Sequence, residues 1–193
     1  MYWSGSDIES RVECSDRKIG MVLNPGAAPL WYAVRVRSNY ERTVSTILEH
    51  KGVEQFVPTY RSRRLWADRV KTLDLPLFPG YVFCRIRLDK RNVVVTTEGV
   101  VSIVGAGRQP IPVNDTEIEA IKKVVESGVH AEPCQFLKTG QLVRINRGSL
   151  SGVQGILTKV KSSWRLVISV NLLERSVAVE IDAAWVSPVD KPS

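Results

Sequence analysis

The chain has 193 residues, 44% of them hydrophobic, and a formal charge of +7 from 27 basic and 20 acidic side chains. That length fits one or two domains with ordinary packed cores, and a positive excess of this size favours polyanionic partners. No apolar run approaches the roughly 20 residues needed to cross a bilayer, so no transmembrane helix and no membrane partner are expected.

The opening Met1-Tyr2-Trp3-Ser4-Gly5-Ser6-Asp7 has neither a basic n-region nor an apolar h-region. No secretory signal is expected, and the reading is cytoplasmic. Cys14, Cys84 and Cys134 are odd in number, widely spaced and without a CxxC. With His50 and His130 they form no metal-ligand cluster, so they read as isolated thiols, with no metal and no cofactor. There is no Ser/His/Asp grouping and no phosphate-cradling GxxxxGK[ST]. The chain reads as a binding protein rather than an enzyme.

In chain order, residues 1–29 show no sustained period and end in the turn-rich Asn24-Pro25-Gly26-Ala27-Ala28-Pro29, a flexible extension. Trp31 to Arg37 alternates, with Tyr32, Val34 and Val36 on one face, which predicts a strand. Ser38-Asn39-Tyr40-Glu41 has capping-box spacing. Val44, Ile47 and Leu48 follow at helical intervals and Gly52 closes the helix. Phe56-Val57 opens a β region, and Arg61 to Leu73 reads as a protruding hairpin rich in arginine (Arg61, Arg63, Arg64, Arg69).

Leu77-Phe78-Pro79-Gly80 then bends into a strand from Tyr81 to Ile86. Pro79 blocks sheet pairing and Gly80 lets the chain turn, so Tyr81 and Phe83 share one face and Val82 takes the other. Aromatics beside such a bend suit either a groove for a partner's helix or the domain's own core. Val93-Val94-Val95 and Val100 to Val104 are further apolar runs. Asn114 caps a second helix with Glu117 at the box position. Ile118, Ile121 and Val125 form its core face, Glu119 and Lys123 an i,i+4 pair, and Gly128 the stop.

Beyond a polar linker at 129–137, only β signals remain: Gln141–Ile145, Gly155–Lys161, Trp164–Val170 and Ser176–Ile181. Within 138–190, the run Gly140-Gln141-Leu142-Val143-Arg144-Ile145 leads into glycines at Gly148, Gly152 and Gly155. The expected fold class is α+β: an N-terminal α/β sandwich over residues 30–128, joined to a small SH3-like barrel. The β-branched residues from Val153 to Ile181 favour a stable barrel over a helical alternative, leaving the Phe78–Phe83 segment open.

The glycine-punctuated run resembles the KOW motif, formed by Gly140, Arg144, Gly148, Gly152 and Gly155. The order strand, helix, hairpin, Phe78–Phe83 segment, helix and KOW barrel resembles the NusG family of transcription elongation factors. The resemblance covers about Leu30 to Val189. It implies an NGN-like domain that rides on the β′ clamp helices of RNA polymerase through Trp31, Phe78, Pro79, Tyr81 and Phe83. It further implies contact with the β gate loop through Lys90, Arg91 and Asn92, and with non-template DNA through Arg37, His50 and Lys51.

In the barrel, Leu172, Leu173 and Glu174 occupy the loop by which family members bind a small-subunit ribosomal protein or Rho. An Ile-Phe-Gly run is usual there. Losing its aromatic anchor and glycine argues against Rho, while aliphatic burial for the ribosomal protein survives. Together with the extension and the arginine-rich hairpin, this favours a monomeric, operon-specific antitermination paralog of the RfaH or UpxY type. A housekeeping NusG coupling transcription to the ribosome or Rho is the alternative. A ribosome- or RNA-binding KOW protein, with Arg144 and Arg147 on phosphates, is the second.

Overall fold

The structure, a computed structural model, describes residues 28–66, 69–134, 140–160 and 163–189. Apart from Ala28 and Pro29, the N-terminal extension lies outside the described residues, and so do Cys14 and residues 135–137 of the expected linker.

The first domain runs β1 (Leu30–Val36), α1 (Glu41–His50), β2 (Glu54–Phe56), β3 (Thr59–Trp66), β4 (Arg69–Pro76) and β5 (Tyr81–Ile86). It continues α2 (Arg91–Val95), β6 (Val100–Ile103), β7 (Gly105–Ala106), β8 (Gln109–Pro110) and α3 (Asp115–Ser127). An antiparallel sheet in the order β2-β5-β1-β6 forms its middle layer. Strand alternation sends Tyr32, Val34 and Val36 of β1 to one side, where Val44 and Leu48 of α1 and Val94 of α2 complete a core. Trp31 and Ala33 go to the other side, where Ile118, Ile121 and Val124 of α3 cover them. The expected α/β sandwich therefore has a helix on each face of its central strand.

Several local expectations change in tertiary context. Tyr40 occupies the N-cap of α1 without a side-chain bond, so the Ser38 capping box does not form. Val93 to Val95 lie in a short helix although β-branched, with Thr96 and Thr97 hydroxyls bonded back to the carbonyls of Asn92 and Val93. On α3 the Asn114 cap forms, its Oδ1 accepting the Thr116 amide at 2.9 Å, and Gly128 ends the helix at φ 67°. Val124 replaces Val125 on the core face, and Glu119 pairs with Lys122 at 3.0 Å rather than with Lys123.

The expected linker is in part a strand. β9 (Ala131–Cys134) joins a second antiparallel sheet with β10 (Gln141–Ile145), β11 (Gln154–Val160), β12 (Ser163–Val170), β13 (Arg175–Ile181) and β14 (Val186–Pro188). The order is β14-β10-β11-β12-β13-β9. Val143, Ile145, Leu150, Val153, Leu166, Ile168, Val170, Val177 and Val179 fill its interior. Gly155, opposite Val143 on β10, has no room for a side chain: a Cβ there would stand 2.5 Å from the Val167 carbonyl oxygen.

Candidate functional site

The Phe78–Phe83 segment is built by a bend and a ladder. Gly80 takes φ 84°, a left-handed conformation that glycine adopts without steric cost. Its amide donates to Glu41 Oε1 at 2.7 Å, and its carbonyl accepts the Val36 amide at 2.9 Å. So anchored, β5 pairs Phe83 with Phe56 of β2 on one side and Ala33 of β1 on the other. Phe78 meets Phe83 edge-on, with ring centroids 5.5 Å apart, while the Phe56 ring lies 6.3 Å from that of Phe83.

Burial divides this cluster into a floor and a rim. Phe78 and Phe83 are 1% and 0% exposed, and Trp31, lying 4.7 Å beneath the Lys122 ammonium, is 2% exposed. Trp31, Phe78 and Phe83 are therefore core rings, the second of the two settings that the sequence allows for aromatics beside this bend. Tyr81, Phe56 and Tyr60 pack on that floor half-buried, and Pro79 is exposed. Phe56 and Tyr60 are additions that the sequence pattern does not single out. Phe56 could be sought as a cross-strand partner of Phe83, but Tyr60 carries no local signal.

Lys90, Arg91 and Asn92 are exposed at the start of α2, immediately beyond the far end of β5. Six residues of strand hold them about 20 Å from Tyr81, at roughly 3.3 Å per residue. Arg37, His50 and Lys51 are also exposed but not equivalent. The Lys51 ammonium is engaged with the Thr97 hydroxyl at 2.8 Å and the Val93 carbonyl at 3.2 Å, capping α2. His50 Nδ1 lies 2.7 Å from the Thr46 carbonyl. Among the described residues, no group of three or more His, Cys, Asp or Glu is placed to hold a metal ion. Cys84 is buried, which pushes its thiol pKa up to about 12, and burial likewise raises that of Cys134.

In the second domain, Arg144 and the glycines Gly140 and Gly148 lie on the exposed side, while Gly155 is enclosed. The loop Leu172-Leu173-Glu174 follows β12 as a 3-10 turn (Asn171–Leu173), with Glu174 in a left-handed conformation at φ 48°. This loop meets the first domain. Leu172 and Leu173 pack half-buried against the core that α3 shares with the barrel. Asn171 Nδ2 donates to Glu117 Oε1 on α3 at 2.6 Å. Beside this contact, α3 and the barrel enclose a cleft of about 990 Å³. Burial raises the Glu117 carboxyl above its usual range, and the Asn171 bond partly offsets it.

A helix-covered antiparallel sandwich with an aromatic rim, docked on a glycine-punctuated barrel, defines a protein of the NGN-plus-KOW class. Residues 29–122 match the family model described as "Transcription termination factor nusG". The Transcription termination/antitermination protein NusG of Vibrio vulnificus is 27% identical over 174 residues, covering 83% of this chain and 96% of that protein. The same-named protein of Escherichia coli K12 is 27% identical over 170 residues, covering 81% and 94%. A solved structure described as "Domain interaction in Thermotoga maritima NusG" shares the fold, with a TM-score of 0.53 at 22% identity over 84% of this chain and 98% of that one. The first domain thus matches the NusG family model, and over most of its length the chain is similar to NusG proteins.

Proposed function

We propose that this protein binds RNA polymerase during elongation and suppresses pausing and termination without chemistry of its own. The observation that carries the proposal is the aromatic rim over a buried floor: Tyr81, Phe56 and Tyr60 above Phe78 and Phe83. A shallow apolar rim of this kind suits the side of a helix, and the clamp helices of the polymerase β′ subunit are its partner in this reading. Lys90, Arg91 and Asn92 would hold the gate loop of the β subunit across the cleft. Gripping both sides disfavours an opened, paused enzyme, which requires only a higher affinity for the closed state.

Operon-specific antitermination is favoured over a housekeeping role by the loop Leu172-Leu173-Glu174, which keeps aliphatic contact but lacks an aromatic anchor for Rho. A small-subunit ribosomal protein that used this loop would compete with its contact on α3. Titration of the full chain with a β′ clamp-helix fragment tests the anchor. Tyr81→Ala should weaken binding at least tenfold, in line with about 2 kcal/mol for an aromatic hot spot. Equal affinity for the variant would refute it.

A further inference from the structure

Period-2 alternation gives one face of the first domain's sheet three successive rows across its strands. Register places Trp31 opposite Arg85, Ala33 opposite Phe83, and Arg35 between Tyr81 of β5 and Ser102 of β6. Burial changes abruptly along β1. Trp31 and Ala33 are 2% and 0% exposed, whereas Arg35, two residues on, is exposed. β5 shows the same step, from fully buried Phe83 to half-buried Tyr81, and Ser102 is exposed as well. The covered part of this face therefore ends between the second and third rows. Tyr81, Arg35 and Ser102 form an open strip continuous with the aromatic rim.

Other cations around the cluster are engaged. Arg85, at the opposite end of the same face, meets Glu54 at 3.7 Å, Lys122 on α3 meets Glu119 at 3.0 Å, and Arg42 on α1 meets Asp74 at 3.6 Å. The Arg35 guanidinium has no ion-pair or hydrogen-bond partner among the described residues. Side chains directly opposite one another on antiparallel strands have Cβ atoms about 4.5–5.5 Å apart, which sets the step from Tyr81 to Arg35. Side chains three or four residues apart on a helix are separated by about 5–6 Å. A helix that seats an apolar residue on Tyr81 thus brings the residue one turn along over Arg35.

We propose that Arg35 is the charged selectivity residue of the aromatic rim, recognising a helix that carries Asp or Glu three or four residues from the apolar side chain on Tyr81. The proposal rests on the clamp-helix reading above and adds the chemistry that selects one helix among many. An apolar rim alone discriminates poorly, because any amphipathic helix can bury an aliphatic side chain there. A guanidinium beside it grips a carboxylate through two parallel hydrogen bonds and repels a lysine in the same place.

Titration of the full chain with a β′ clamp-helix fragment at two ionic strengths tests it. At about 0.1 M salt Arg35→Gln should weaken binding about threefold to tenfold and Arg35→Glu further, while Arg35→Lys keeps most of the affinity. At about 1 M, where the screening length falls to about 3 Å, wild type and Arg35→Gln should converge. Carboxylates of the fragment changed one at a time to amides should include one whose effect disappears in the Arg35→Gln background. Binding that falls with Tyr81→Ala yet is unchanged in Arg35→Gln and Arg35→Glu would overturn the selectivity role and leave the clamp-helix reading standing. A loss of equal size at both salt concentrations would make Arg35 a structural residue and overturn the role too. Absence of binding by the wild-type protein would remove the underlying reading, and this proposal with it.

Discussion

Glu41 and Gly80 are 39 residues apart in sequence, yet the carboxylate of the first accepts the amide of the second at 2.7 Å. Glu41 is only 7% exposed, so this bond satisfies a buried acceptor and the amide at the bend at once. It ties the first turn of α1 to the bend that launches β5, and so fixes where Tyr81 begins. Glu41→Ala should cost about 1–3 kcal/mol by leaving the Gly80 amide unpaired. Glu41→Gln, which keeps an acceptor, should cost less. Chemical denaturation of the three proteins checks the ranking.

Floor and rim aromatics should separate cleanly. Phe83→Ala removes a fully buried ring and should destabilise the protein by about 3–5 kcal/mol. Tyr81→Ala removes a half-buried ring and should leave stability far less affected while weakening the proposed clamp-helix contact. Thermal melts beside binding titrations would show whether the two losses fall on different residues.

The contact between α3 and the barrel should respond to pH through Glu117. Its carboxyl is raised by burial, so the packed state binds a proton more readily than a state in which Glu117 is hydrated. Stability from this group is therefore full below the ordinary carboxylate range and declines as pH rises through the raised value. Glu117→Gln keeps the oxygen that accepts from Asn171 but cannot ionise. It should flatten this part of the stability profile and strengthen packing at neutral pH, as read by melting temperatures across a pH series.

Gly155→Ala tests the barrel. The added methyl would stand 2.5 Å from the Val167 carbonyl, which is backbone and cannot swing away. An overpacking cost of about 1–3 kcal/mol is expected, with the loss visible in denaturant midpoints.

Features set by neighbouring residues are legible in the sequence. Asn114 and Gly128 bracket α3 because a cap needs only the first turn of its helix and a stop needs only a left-handed residue. The alternation of Tyr32, Val34 and Val36 likewise identifies one face of β1. What depends on distant partners is not legible. Ser38 loses its capping box because Glu41 turns to Gly80 instead. Ala131-Glu132-Pro133-Cys134 has no strand pattern and becomes β9 only because β13 offers it an edge. Local spacing puts Phe78 and Phe83 beside the bend but hides their depth. That depth comes from packing with residues distant in sequence, Phe56 and Ala33 beside Phe83 among them, which no short-range pattern encodes.

Pause lifetime in single-round transcription by the cognate RNA polymerase tests the central claim most directly. With the protein added at saturating concentration, lifetimes at a defined pause site should shorten, and Tyr81→Ala at the same concentration should restore much of the original dwell. Lifetimes that lengthen or stay equal with the wild-type protein would contradict the account.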